Sequence, residues 1–275
     1  MKTNSTKKFF SDSIFASMPG FISIFLSLFA IPIHLKFAGT THYGQYIFLH
    51  LISSLGLLLN LGIGKITSIN IAKHKNSNRI AYNGLKITLR NCSIVLILII
   101  FFYIANIFLN LIPQESLILM AASILLTIFF VTLESIVVGN RIFQVLMFIN
   151  LFYYGCSFSI PSIFLFLQYY DYQITFLGSL LIKLIVVLFS VIFLVKNNYI
   201  KVHKLKNYTK FKSAKWFSIS LLLIQIYDFA DKYLIKTILG PAALAIYYVP
   251  QQLSGKLTIL SKGFSAVLLP SISYT

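Results

Sequence analysis

Charge is scarce in this sequence, and part of it stands where charge has a physical cost. Residues 227–236 read YDFADKYLIK, two aspartates and two lysines in a stretch otherwise apolar from Trp216 to Leu239. Counted from Trp216, twelve residues of 1.5 Å rise put Asp228 about 18 Å into a membrane-crossing helix, near its middle. A carboxylate there costs at least about 2.5 kcal/mol on insertion scales, so it needs a partner or water. Lys232 follows Asp228 by four residues, on the same face and in the favourable order. That pair either only lowers the insertion cost or forms part of a polar wall. Asp231 has Tyr227 and Ile235 at the corresponding positions, so it is expected to meet a lysine of another helix or water in a cavity. Lys183 lies inside FLGSLLIKLIVVLFSVIFLV (176–195), too far from either end to snorkel easily. Lys256 is similar, with Gln252 one turn away. Such lysines either hold helices together through an acid or present positive charge to an anion.

The elements that must position these groups are transmembrane helices. The chain has 275 residues, 58% hydrophobic and only 11% charged, against about 25% charged in soluble domains. Apolar runs near 20 residues recur, the length that crosses hydrocarbon. They are continuous, as in SIVLILIIFFYIANIFLNLI (93–112), whereas barrel strands alternate. A lone span must satisfy its own backbone, so the fold class is an all-α polytopic membrane protein. Eight spans are expected, about 13–35, 45–70, 92–112, 117–138, 142–167, 174–195, 216–239 and 242–269. The first is too long for a signal-peptide core and has no cleavage site after it. Cys92 and Cys156 read as small apolar residues of helices. The histidines at 34, 42, 50, 74 and 203 lack metalloprotease spacing, and no metal or cofactor is implied.

Lysine and arginine set the expected orientation. Sixteen fall in the N-terminal tail, 71–91, Arg141 and 196–215, all on one side if every span crosses; Lys36 and Lys236 are the two on the other. The N-terminus is therefore expected to be cytoplasmic. The net charge of +17 is explained by topology and anionic lipid rather than by nucleic acid. Five lysines remain inside the spans, Lys65, Lys183, Lys232, Lys256 and Lys262, against Glu134, Asp228 and Asp231. Lys65 and Lys262 lie near the cytoplasmic ends and read as snorkelling side chains. The surplus predicts an interior of positive potential.

An internal repeat runs through the chain. LKFAGTTHYGQYIF after the first span and IKTILGPAALAIYYV after the seventh superpose with Gly39 on Gly240 and Tyr46 on Tyr247, an offset of 201. Both spans run in the same direction, so the repeat is parallel, as between some transporter halves. It divides the chain into a six-helix lobe (1–195), a basic cytoplasmic linker (196–215) and the first two helices of a second lobe (216–275). On this reading the chain is a truncated or split transporter, with Gly39, Gly240, Tyr46 and Tyr247 as structural or hinge positions.

Four stretches carry a family resemblance: IPIHLKFAGTTHYGQY (31–46), NLGIGKITSINIAKH (60–74), DKYLIKTILGPAALAIYYV (231–249) and LLPSIS (268–273). The chain resembles the polysaccharide-export flippases, the O-antigen translocase group of the multidrug/oligosaccharidyl-lipid/polysaccharide exporter superfamily. The resemblance implies two six-helix lobes around a central cavity, alternating access, and a sugar chain on polyprenyl pyrophosphate as substrate. It places Asp231, Gly240 and Tyr247 at family positions. It also implies residence in the bacterial cytoplasmic membrane and work beside the polymerase and ligase of polysaccharide assembly.

Three functions are weighed. A flippase for lipid-linked oligosaccharide would use unpaired lysines to hold a pyrophosphate, with Lys183, Lys256, Lys232, Asp231 and Asp228 as the substrate-binding set. A cation or drug antiporter of the same superfamily should favour acids over lysines, though Asp228 and Asp231 could serve as its proton-coupled sites. A membrane enzyme holding Mg²⁺ at Asp228-x-x-Asp231 would need further acids, which the sequence does not supply. The chain is therefore read as a transporter and not as an enzyme, with an inactive fragment as the remaining alternative.

Overall fold

The structure is a computed structural model. It describes residues 2–73, 77–109, 113–167, 171–201 and 214–256; within these, side chains are described except at 2–10, 109, 166, 214–222, 224, 225, 228 and 253–256. The described chain is helical throughout. α1 is Lys2–Phe37, α2 Gly39–Leu59, α3 Ile63–Lys73, α4 Ser77–Leu109 and α5 Gln114–Gly139. α6 is composite: Phe143–Asn150, a π-helical stretch Leu151–Cys156, Ser157–Ser159, a 3₁₀ turn Ile160–Ser162, and Ile163–Phe166. α7 is Tyr172–Lys196, α8 Ala214–Leu239 and α9 Pro241–Lys256.

Among the described residues five helices are long and apolar enough to cross a membrane, and α2 with α3, bent by 49°, gives up to six if the pair counts as one span. α8 interrupts its apolar run with Asp228, Asp231 and Lys232, and the described part of α9 has 16 residues. The protein is an all-helical, multi-pass membrane protein. Its surface says the same: Phe29, Phe101 and Phe108 are 72%, 74% and 82% exposed, while Ser53, Thr88, Thr127, Thr132 and Lys183 are buried. That arrangement suits hydrocarbon as the outer solvent.

Two expectations from the sequence change. The second span is not one helix over 45–70. It breaks at Asn60, where Leu61 and Gly62 take φ of 52° and 66°. Asn60 Nδ2 donates to Ile128 O at 2.9 Å and to Thr132 Oγ1 at 3.0 Å, and its Oδ1 accepts from Gly64 N at 2.9 Å. Thr132 is also within 2.7 Å of Thr88 Oγ1, and Asn91 Nδ2 donates to Leu59 O. The side chains of Asn91 on α4 and of Asn60 itself thus satisfy backbone groups at the break, and Asn60 is anchored in turn on α5. Much of 71–91, outside the expected spans, is also helical: α3 runs to Lys73 and α4 begins at Ser77, so Arg79, Lys86 and Arg90 ride on helix.

Glycine corners join the helices of the internal repeat. Gly39 and Gly240 have φ of 80° and 88°, with open space where a Cβ would stand. Left-handed glycine ends α1 and α8, and Pro241 opens α9 at the position where a missing N–H does least harm. The two hairpins meet at Gly44, where a Cβ would collide with the Pro241 carbonyl. α2 and α9 pack backbone to backbone there, as small residues allow in membranes.

Among the described residues three buried apolar clusters fill the bundle, two of them large. One gathers Ile71, Phe130, Leu133, Phe143, Leu146, Val186 and Leu194. The other gathers Ile31, Tyr43, Ile47, Met120, Phe158, Leu180 and Leu244. On α7, Lys183 lies between Leu180 of the second and Val186 of the first; on α5, Thr127 lies between Met120 and Phe130. The polar centre therefore stands between two apolar plugs.

Candidate functional site

A cavity of about 270 Å³ opens at that level, lined from α1, α2, α5, α6, α7 and α9. Lys183 reaches it from α7 and is 5% exposed. Its Nζ donates to Ser53 Oγ at 3.0 Å and stands 5.5 Å from the Tyr153 ring centroid and 6.0 Å from that of Phe176. A chain of hydroxyls continues from it. Ser53 Oγ is 3.4 Å from Thr127 Oγ1, and Tyr153 Oη donates to Thr127 Oγ1 at 2.9 Å. Tyr153 is fixed by stacking on Phe130, centroids 3.6 Å apart. The irregular course of α6 is what brings Tyr153, Tyr154, Ser157 and Phe158 to the cavity within six residues. Among the described lining residues there is no carboxylate. The ammonium is held by the Ser53 hydroxyl and two ring faces, which stabilise it without cancelling its charge.

Asp231 lies elsewhere. It forms a cluster with its sequence neighbour and the next helix: Oδ1 accepts from Lys232 N at 2.7 Å and meets Lys232 Nζ at 3.4 Å. Oδ2 accepts from Tyr247 Oη at 2.7 Å. The expected lysine of another helix is replaced by an adjacent lysine and a tyrosine, because the side chain of Asp231 can turn back along its own helix. Lys232 is buried and Asp231 half-buried, and neither lines the cavity. The side chains of Asp228 and Lys256, and the whole of Lys262 and LLPSIS, lie outside the described residues. The proposed substrate-binding set is thus divided: Lys183 is in the cavity, Asp231 and Lys232 are on the α8–α9 hairpin. Tyr46 and Tyr247, paired by the repeat, do different work. Tyr46 is buried and donates to Phe158 O at 2.8 Å, tying α2 to α6, whereas Tyr247 is 40% exposed and holds Asp231. α9 reaches the cavity through Tyr248 and Gln252, where Gln252 Nε2 donates to Tyr248 Oη at 3.2 Å. Glu134 accepts from Asn150 Nδ2 at 2.9 Å, joining α5 to α6.

Ser53, Thr127, Tyr153 and His50 were not singled out from sequence. The available signal was spacing: His42, Tyr46 and His50 recur every four residues on α2, one helical face.

No protein-family model matches the sequence, and no curated protein matches it. Solved structures do match in fold. A structure described as protein A superposes with TM-score 0.71 at 13% identity, covering 98% of this chain and 65% of that one. A MOP superfamily transporter from Pyrococcus furiosus, whose reversed binding-pocket polarity is taken to suggest a different function, gives 0.65 at 15%, covering 96% and 63%. An outward-facing multidrug resistance MATE family transporter of the same superfamily gives 0.66 at 15%, covering 93% and 62%. The chain shares the fold of these three structures and spans 62 to 65% of their length.

Proposed function

We propose that the chain works in a transporter that moves an anionic amphiphile across the membrane, with the anionic headgroup in the Lys183 cavity and the hydrocarbon tail left in the bilayer. The carrying observation is a buried ammonium in a cavity whose described lining holds no carboxylate. A charge so placed is costly by itself and is offset by an anion. The fold supports transport as such, since two of the three structures named above are transporters. Lipid-linked oligosaccharide is the finer form of this reading: the hydroxyls and aromatic faces beside Lys183 suit sugar as well as phosphate.

Drug or cation export is the second reading, and the multidrug resistance MATE neighbour favours it. The sign of the cavity charge weighs against it. Within this fold pocket polarity differs, as the Pyrococcus furiosus protein illustrates. The chain reconstituted in liposomes separates the two. Transbilayer movement of a fluorescent polyprenyl phosphosugar, without uptake of a cationic dye under a proton gradient, is expected. Dye uptake with a stationary phosphosugar would replace this reading by the second.

A further inference from the structure

His50 has no part in the argument above, yet it lines the same cavity as Lys183. It precedes Ser53 by three residues, so both project from one face of α2. Its ring is held edge-on by Tyr46, Phe158 and Phe176, at centroid distances of 4.6, 5.2 and 5.1 Å. Its Nε2 is buried and has no hydrogen-bond partner. Behind it His34, 2% exposed, stacks on Tyr46 at 4.8 Å, and its Nε2 is also without a partner. Buried polar nitrogens are normally satisfied, so an unpartnered imidazole nitrogen on a residue that lines a polar cavity points to something that visits it.

The groups that face His50 are Lys183 from α7, His34 from α1 through Tyr46, Tyr153 and Tyr154 from α6, Thr127 from α5, and Tyr248 with Gln252 from α9. None of them is a carboxylate. With Lys183 charged, a second positive charge on His50 meets like-charge repulsion that nothing on the described wall offsets. An anion in the cavity reverses this. It attracts a proton onto the imidazole, and the resulting Nε2–H donates to the anion.

We propose that His50 is a proton-binding residue of the cavity, taking one proton from water onto Nε2 when a singly charged phosphodiester binds beside Lys183, so that anion and proton are carried together. This rests on the anion reading of the cavity. By linkage the anion and the proton each tighten the binding of the other.

The test is titration calorimetry of the purified full chain in nanodiscs with a farnesyl methyl phosphodiester, whose single charge is constant across the range. Runs between about pH 5.5 and 8.5 in two buffers of unlike ionisation enthalpy count the protons, the window in which an imidazole titrates. Wild type is expected to take up as much as one proton per anion, with affinity falling up to about tenfold per pH unit on the alkaline side. His50→Gln is expected to bind without uptake and without that slope. Wild-type binding with no uptake overturns the proposal, and does so without any variant. Uptake that persists in His50→Gln overturns it too, assigning the proton to Lys183, or to His34 if His34→Gln removes it. Binding lost in Lys183→Met while wild type takes up no proton leaves the anion reading standing and the proton reading refuted. No binding of the probe at any pH refutes both.

Discussion

Replacing Lys183 by methionine separates what the ammonium does for the fold from what it does for the ligand. In the empty protein its Nζ makes one hydrogen bond to Ser53 and faces two rings. A polar side-chain bond within a membrane bundle contributes about 0.6 kcal/mol, at most about 1.7, and a partly solvated cation–π contact about 0.5–1. Against them stands an insertion cost of about 2.5–3.5 kcal/mol for a mid-helix lysine. The unliganded Lys183→Met protein is therefore expected to be as stable as wild type or more stable by up to about 2 kcal/mol. Ligand affinity moves the other way. A unit charge about 4 Å from an anion at an effective dielectric near 20 is worth about 4 kcal/mol, so binding should weaken about 10³-fold. Lys183→Arg should keep most of the affinity, since charge is retained. Unfolding in mixed detergent, followed beside phosphodiester binding, reads both quantities. A Met variant that binds within threefold of wild type, or that unfolds several kcal/mol more easily, would refute the charge argument and make Lys183 a structural tie.

Other expectations test the scaffold. Asn60→Ala removes three hydrogen bonds at the bend between α2 and α3 and should destabilise by about 2 kcal/mol at the membrane average per bond, read by detergent unfolding. Gly240→Ala places a Cβ at φ of 88° and should cost about 1 kcal/mol through backbone strain alone; the same loss is expected for Gly39→Ala. Gly44→Val should drive α2 from α9 at a cost of about 1–3 kcal/mol, seen as faster maleimide labelling of a cysteine placed at buried Ala245. Tyr247→Phe removes one bond to a partly exposed carboxylate and should change stability by less than about 1 kcal/mol.

Long apolar runs made the spans around α1, α4, α5 and α7 legible, because hydrophobic length is a direct requirement of the bilayer. The glycine corners were legible as well, through the repeat that paired Gly39 with Gly240. The break at Asn60 was not, since GLLLNLGIGKI stays apolar across it and what ends the helix is a side chain binding Ile128 and Thr132 on α5. The basic segment 71–91 fell outside the expected spans because its five cations leave no continuous apolar run, yet a helix can extend beyond hydrocarbon. Lys183 stood out by its depth alone. His50 did not: scanning histidines for metal spacing passes over one whose surroundings are aromatic rings from three helices. For Asp231 the sequence pointed to a lysine of another helix or to cavity water, while its nearest cation is the next residue and its hydroxyl donor lies across a corner.

The π-helical stretch of α6 has a consequence for how this span can change length. A π turn holds one residue more than an α turn, and each residue of a regular helix advances the side chains by about 100°. Removing one residue between Leu151 and Cys156 would let the span close into ordinary helix with its two flanks still in phase, because the wider turn has already absorbed that residue. The same deletion in the regular part of α6 would swing one flank by about 100° relative to the other. The π stretch is thus slack in the span: chain length can change there by one residue while the side chains on either flank keep their faces.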